Sequence, residues 1–205
     1  MVNALHGALL MLVTDSAGRE LEIRPLTFLE QMDLALAVAS NDDGAEWWKE
    51  TKQICSVRKI DGKAVHFPDA YLQVEALAMR LDDAGLQAVE IADLTWEWKP
   101  ADPPIQLEVS IVTRVERFRL KRIGRRAADV HVWQNIAALA FWVRSINGEA
   151  CQAPTDMKSL RAAVARLDDP GMMTALVDAQ RDAAALRALE MAEDDSDDLE
   201  TDAKN

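Results

Sequence analysis

Two adjacent carboxylate pairs are the residues of this chain most able to do chemistry. Asp82 and Asp83 follow Arg80 and Leu81, and Asp168 and Asp169 follow Arg166 and Leu167, so RLDD is written twice. Paired aspartates can hold a hard cation or divide acid and base work. A cation site needs several converging oxygens, however, and acid–base catalysis needs a partner group in a pocket. Neighbouring residues on a helix diverge by about 100°, so one Asp-Asp pair does not close on an ion by itself. Capping and chain reversal fit the context better. Asp83 and Asp169 are expected as N-caps, Gly85 and Gly171 as the residues that permit a tight reversal, and Arg80 and Arg166 as last-turn cations facing free carbonyls.

Other chemistry-bearing types do not gather. His6, His66 and His131 lie far apart in unrelated segments, and no HExxH or CxxC spacing links them to a metal. Cys55 and Cys151 do not fall at matching places in the repeat described below, so free thiols rather than a disulfide are expected. Neither a glycine-rich phosphate loop nor a GxSxG elbow occurs. No nucleophile is written beside a base. The expectation is a protein that is not an enzyme and uses no cofactor or metal.

The RLDD pairs belong to a longer repetition. Residues 57–89 align with 143–175 without a gap at an offset of 86, and 12 of the 33 pairs are identical. Chance would give roughly two or three. Trp47 and Trp133 extend the match upstream. Each repeated residue has a structural reading. Asp61-Gly62 and Asn147-Gly148 are turn dipeptides able to take positive φ. Pro68 and Pro154 fix the approach to a helix opened by Asp69 or Asp156. Leu81 and Leu167 are core anchors.

The elements that position these residues follow from periodicity. Ala8 to Arg24 reads as a β-hairpin about TDSAG, and Thr27 with Glu30 forms a capping box for a helix to Ser40 carrying Phe28, Met32, Ala35 and Leu36. A second helix is expected from about Ala45 to Arg58, with Trp47, Thr51, Ile54 and Cys55 on one face. Beyond Pro68, one helix carries Leu72, Leu77 and Leu81, and the next carries Leu86, Val89, Ile91 and Leu94. After the Pro100 to Pro104 linker, Ile105 to Ile111 alternates as a strand. The segment RVERFRLKRIGRR then reads as a bulge or second hairpin, and helical pattern resumes near Ala127. On this reading the helix at 27–40 has no counterpart in the second half. The fold class is α+β, mostly α: two related helical lobes from an internal duplication, each with a β-hairpin or strand segment. Their bounds are 1–99 and 105–191, with the linker at 100–104 and an acidic tail at 192–205.

Charge and aromatic placement supply the binding candidates. Arg114, Arg117, Arg119, Lys121, Arg122, Arg125 and Arg126 surround a single acid, Glu116. Their three readings are a solvated face offsetting the tail, a dock for an acidic protein, and a nucleic-acid contact. The net charge of −12 argues against the last. Trp96 and Trp98, in TWEWKP, pack at a junction or anchor a partner. The tail, Glu193 to Asp202, holds seven carboxylates and no cation, with too little apolar content to fold alone. The opening MVNALHGALLMLV lacks a basic leader, and no apolar run approaches the about 20 residues needed to cross a bilayer. A soluble, cytoplasmic protein is expected.

The pattern VRxIDGxxVxxP…LExLxxRLDDxGLxAV, here Val57 to Val89, resembles tail assembly chaperones and related small tail-morphogenesis proteins of tailed bacteriophages. RELEIRPLTFLEQ upstream is similar to the start of such proteins. The resemblance covers about residues 8–95, and the second copy carries it to about 179. It implies a non-enzymatic role in the host cytoplasm: binding the helical, aggregation-prone tape-measure protein and the tail-tube protein, with self-association possible. Rival expectations are a structural tail or baseplate component of the virion, and a nucleic-acid-binding regulator using residues 114–126.

Overall fold

Asp15 sets the first turn. Its Oδ1 accepts the backbone N–H groups of Ala17 (3.0 Å) and Arg19 (2.9 Å), and its Oδ2 takes the Arg19 Nε–H at 2.7 Å. That network folds β1 (Met11–Thr14) back on β2 (Glu20–Ile23) with Met11 opposite Ile23 and Thr14 opposite Glu20. The computed structural model describes residues 10–38, 48–94, 101–169 and 171–182. Among these the chain is an α+β protein with seven helices and two small antiparallel sheets. The capping box at Thr27 and Glu30 opens α1 (Phe28–Val38), with Thr27 Oγ1 accepting from Glu30 N and Glu30 Oε2 accepting from Thr27 N. Then come α2 (Trp48–Cys55), β3 (Val57–Ile60), β4 (Lys63–Ala64) and α3 (Tyr71–Leu94). The second half holds β5 (Leu107–Val109), α4 (Arg114–Gly124), a 3-10 turn (Arg125–Asp129), α5 (His131–Trp142), β6 (Val143–Ile146), β7 (Glu149–Ala150), α6 (Met157–Ala165) and α7 (171–182).

The sheets run β1-β2-β3-β4 and β5-β6-β7. Their registers are the same once 86 is added: Leu21 opposite Ile60 matches Leu107 opposite Ile146, and Ile23 opposite Val57 matches Val109 opposite Val143. Both ladders slip at the same place, between Glu22 and Ile23 and between Glu108 and Val109. The hairpin dipeptides adopt positive φ as a pair, Asp61 (51°) with Gly62 (73°) and Asn147 (52°) with Gly148 (80°). That backbone matches the strand twist.

Several elements differ from the sequence reading. RVERFRLKRIGRR is neither bulge nor hairpin: it forms α4 and the 3-10 turn, because Thr113 and Glu116 make a second capping box and Leu120 and Ile123 bury one face. This helix stands 86 residues after α1, so the 27–40 helix does have a counterpart. The expected 105–111 strand is only three residues long. Arg58 lies on a strand, not a helix. Leu72, placed with Leu77 and Leu81 on one helix, is 74% exposed while they are buried, and Ile91 is also exposed. Leu36 is exposed while Leu34 is fully buried, since the helix turns Leu34 inward. The expected helix ends at Ser40 and Ala45, the acidic tail and Pro100 lie outside the described residues.

Among the described residues three clusters form the core. One gathers Leu21, Ile23, Leu34, Ile54, Val57, Leu77, Leu81 and Val89. A second gathers Leu120, Ile123, Trp133, Ala137, Phe141, Leu160 and Val164, together with Met32 and Ala35 of α1. The third, smaller one holds Val143, Leu167, Met172 and Leu176. Helix α1 therefore serves both halves: Leu34 faces the first core and Met32 the second.

Candidate functional site

Each half is tied together by an arginine on its central strand. Arg58 Nη2 donates to Glu30 Oε2 at 2.8 Å, joining β3 to the capping box of α1. Eighty-six residues on, Arg144 grips Glu116 through Nη1 (2.6 Å) and Nη2 (3.0 Å), joining β6 to the capping box of α4. The Arg144 guanidinium and the Thr113 donors overcome partial burial and hold the Glu116 carboxyl down to about 2. Arg58 also stacks over Phe67, 5.6 Å from the ring centre. These glutamates act as structural clamps between strand and helix cap.

The repeated aspartates take different roles in the two halves. In the first, Asp82 rather than Asp83 is the cap. Asp82 has φ 50° and breaks α3, while its Oδ1 accepts from Ala84 N (3.0 Å), Gly85 N (3.3 Å) and Arg19 Nη2 (2.7 Å). Arg19 also donates to the carbonyls of Arg80 and Leu81, so the hairpin turn locks the α3 break. In the second, Asp169 Oδ1 accepts from Gly171 N at 2.8 Å, and Asp168 Oδ1 accepts from Phe28 N, the first residue of α1. Burial pushes the Asp168 carboxyl up, against the pull of the Phe28 and Leu29 N–H groups.

Gly85 and Gly171 do not supply positive φ. They are close-approach glycines: a Cβ at Gly85 would lie 3.0 Å from Leu81 Cβ, and one at Gly171 would lie 2.5 Å from Ala101 Cβ. Arg80 and Arg166 point to solvent and form no ion pair among the described residues. Pro68 and Pro154 are buried. Asp156 caps α6 by accepting from Ser159 N at 2.7 Å. Among the described residues no three His, Cys, Asp or Glu side chains gather to hold a metal ion.

The cations of the basic segment lie mostly in solvent. Arg114, Arg117, Lys121, Arg122, Arg125 and Arg126 are exposed and Arg119 is half-buried. Arg125 ends α4 at φ 50°, its N–H donating to the Lys121 carbonyl. Between the cations stand Val115 (69% exposed) and Phe118 (75%), which charge periodicity alone does not reveal. Trp96 and Trp98 lie outside the described residues. A second apolar stripe that sequence reasoning missed as a surface runs along the first half of α3, where Leu72 and Met79 (81% exposed) flank the exposed Ala76.

Beside that stripe is an open groove of about 560 Å³ between α2 and α3, with Thr51, Ile54, Val74 and Ala78 as floor and Glu50, Glu75, Asp83 and Glu90 around it. In the second half the corresponding face of α5 and α6 is covered by α1. Met32 and Ala35 pack with Ala137, Ala140, Leu160 and Val164, and Arg161 holds Asp33 through two bonds of 2.6 and 2.9 Å. Among the described residues one receiving face is filled and its counterpart is open. Compared with protein-family models, curated proteins and solved structures, the chain matches none. No helix among the described residues is long and apolar enough to cross a membrane.

Proposed function

We propose that the chain is a non-enzymatic assembly chaperone of the bacteriophage tail type, built by duplication of one unit, which covers apolar helix surface on a partner before assembly. The observation that carries this reading is the exposed α3 stripe. Leu72 and Met79 are seven residues apart on one face, with Ala76 between them, and are 74% and 81% exposed. Two large apolar side chains at heptad spacing suit an amphipathic helix laid alongside. The tape-measure protein is the proposed client, with the tail-tube protein as a second, in the host cytoplasm. The resemblance of Val57 to Val89 to tail assembly chaperones supports the same class.

The test is co-expression with the tape-measure and tube proteins of the same phage. A soluble complex is expected, lost in Leu72→Asp/Met79→Asp while the variant keeps its melting temperature. Failure of the unmodified chain to co-purify with either protein, or a complex indifferent to that double substitution, refutes the reading. Mass spectrometry of finished particles separates the structural-component alternative, because a chaperone is depleted from them.

A further inference from the structure

The filled and open faces correspond residue by residue. Subtracting 86 from the residues that receive α1, namely Ile136, Ala137, Ala140, Leu160 and Val164, gives Glu50, Thr51, Ile54, Val74 and Ala78, all of which line the open groove. Adding 86 to the α1 residues that enter the filled face, Leu29, Met32 and Asp33, gives Val115, Phe118 and Arg119 of α4. Met32 is fully buried on its receiving face; Phe118, in the same helical place, is 75% exposed. The inner side of α4 behaves as α1 does, with Leu120 at the place of Leu34 and both buried. Each half thus supplies one helix with an outward face, and among the described residues only one of those faces is seated.

Charge decides what fits the open seat. The filled contact pairs Asp33 on the helix with Arg161 on the face. At the matching places α4 carries Arg119 and the groove carries Glu75, so the same pair appears with its signs exchanged. Glu50 replaces Ile136 and Glu90 replaces Leu176 in the groove, while Lys121 and Arg122 replace Ala35 and Leu36 on the helix. Lys49 also lines the groove and pairs with Glu90 at 3.9 Å, but with Glu50, Glu75 and Asp83 the groove remains net acidic while the α4 face is basic. Attraction of this kind steers encounter and fixes register.

We infer that α4 of one chain docks into the α2/α3 groove of a second copy, in the way α1 docks on α5 and α6 within the chain. The contact is head-to-tail, because helix and groove are different surfaces, so it builds open chains or closed rings rather than a simple two-fold dimer. The amide of Arg114 does not repeat the bond of Phe28 to Asp168, since Asp82 Oδ1 is occupied by Arg19, Ala84 and Gly85. Seating therefore rests on Val115, Phe118 and the Arg119–Glu75 pair. The residues that seat α4 do not include Leu72, Ala76 or Met79 of the neighbouring α3 stripe assigned to the client.

Sedimentation velocity of the full chain over a concentration series, at low and high salt, reads the inference. The expected result is association beyond a dimer that weakens with salt. Glu75→Arg and Arg119→Glu should each weaken it by roughly tenfold or more, with circular dichroism unchanged. A one-to-one mixture of these two variants should associate again, because the native helix of one meets the native groove of the other. Phe118→Ser gives an uncharged check on the same face. A wild-type chain that stays monomeric at every concentration overturns the proposal. Single variants that associate like wild type, or a mixture that stays monomeric, overturn it equally.

Discussion

Replacing Met32 by Ala probes the second half from a residue that the chain order places in the first. Met32 is fully buried, and its neighbours in the cluster, Ala137, Ala140, Leu160 and Val164, come from α5 and α6. Deleting its side chain removes buried apolar surface and leaves a cavity. The two-bond contact of Asp33 with Arg161, one residue along, holds α1 at its distance and limits collapse into that space. A loss of about 2–5 kcal/mol follows. Leu34→Ala, on the same helix and equally buried, should cost a similar amount but strike the first core. Urea unfolding gives both energies, and hydrogen exchange gives their location. Met32→Ala should accelerate exchange in α5 and α6, and Leu34→Ala in β3 and α3. If Met32→Ala cost under about 1 kcal/mol, or loosened only the first half, the placement of α1 would be refuted.

The Glu116 carboxyl, held at about 2 by Arg144 against an ordinary 4.5, contributes stability that is present above pH 4.5 and fades as pH falls towards 2. Glu116→Gln should therefore cost about 1–2 kcal/mol at neutral pH after solvent screening, and progressively less as pH falls through about 2, in paired urea titrations. Gly124→Ala should destabilise by about 1–3 kcal/mol in thermal melts, because its Cβ would meet the fully buried Trp133 ring at 2.6 Å. Gly148→Val should cost about 2 kcal/mol through backbone strain alone, its φ being 80° with nothing within 4 Å of a new Cβ. Burial lifts the Cys55 thiol to about 12, so a maleimide at pH 8 should label the half-buried Cys151 well before Cys55, as peptide mapping would report.

The turns and caps were legible because their chemistry is local. Thr27 with Glu30, Asp61 with Gly62, and Asn147 with Gly148 each declare a backbone state within four residues. Helix α4 was misread for a definite reason. Its outward face keeps Val115 and Phe118 among arginines, which gives VERFRL a false alternation and hides the inward pair Leu120 and Ile123. The signal that finds it was present upstream of the repeat as first aligned: Leu21, Glu22, Thr27, Glu30 and Leu34 recur as Leu107, Glu108, Thr113, Glu116 and Leu120. The shift of the cap from Asp83 to Asp82 was not legible, since it depends on Arg19, 63 residues away in sequence. Nor could periodicity show that α1 crosses to the second core, because an apolar stripe states that a face is buried and not what buries it.

The claim on which these readings rest is that the second half is a seat for a helix. It is tested most directly by expressing residues 101–205 without α1 and titrating in a synthetic peptide of residues 24–40, followed by Trp fluorescence and circular dichroism. The expected result is a loosened fragment that gains stability with the peptide in a saturable way, and loses that response when the peptide carries Met32→Asp. A fragment as stable as the intact chain and indifferent to the peptide would contradict it.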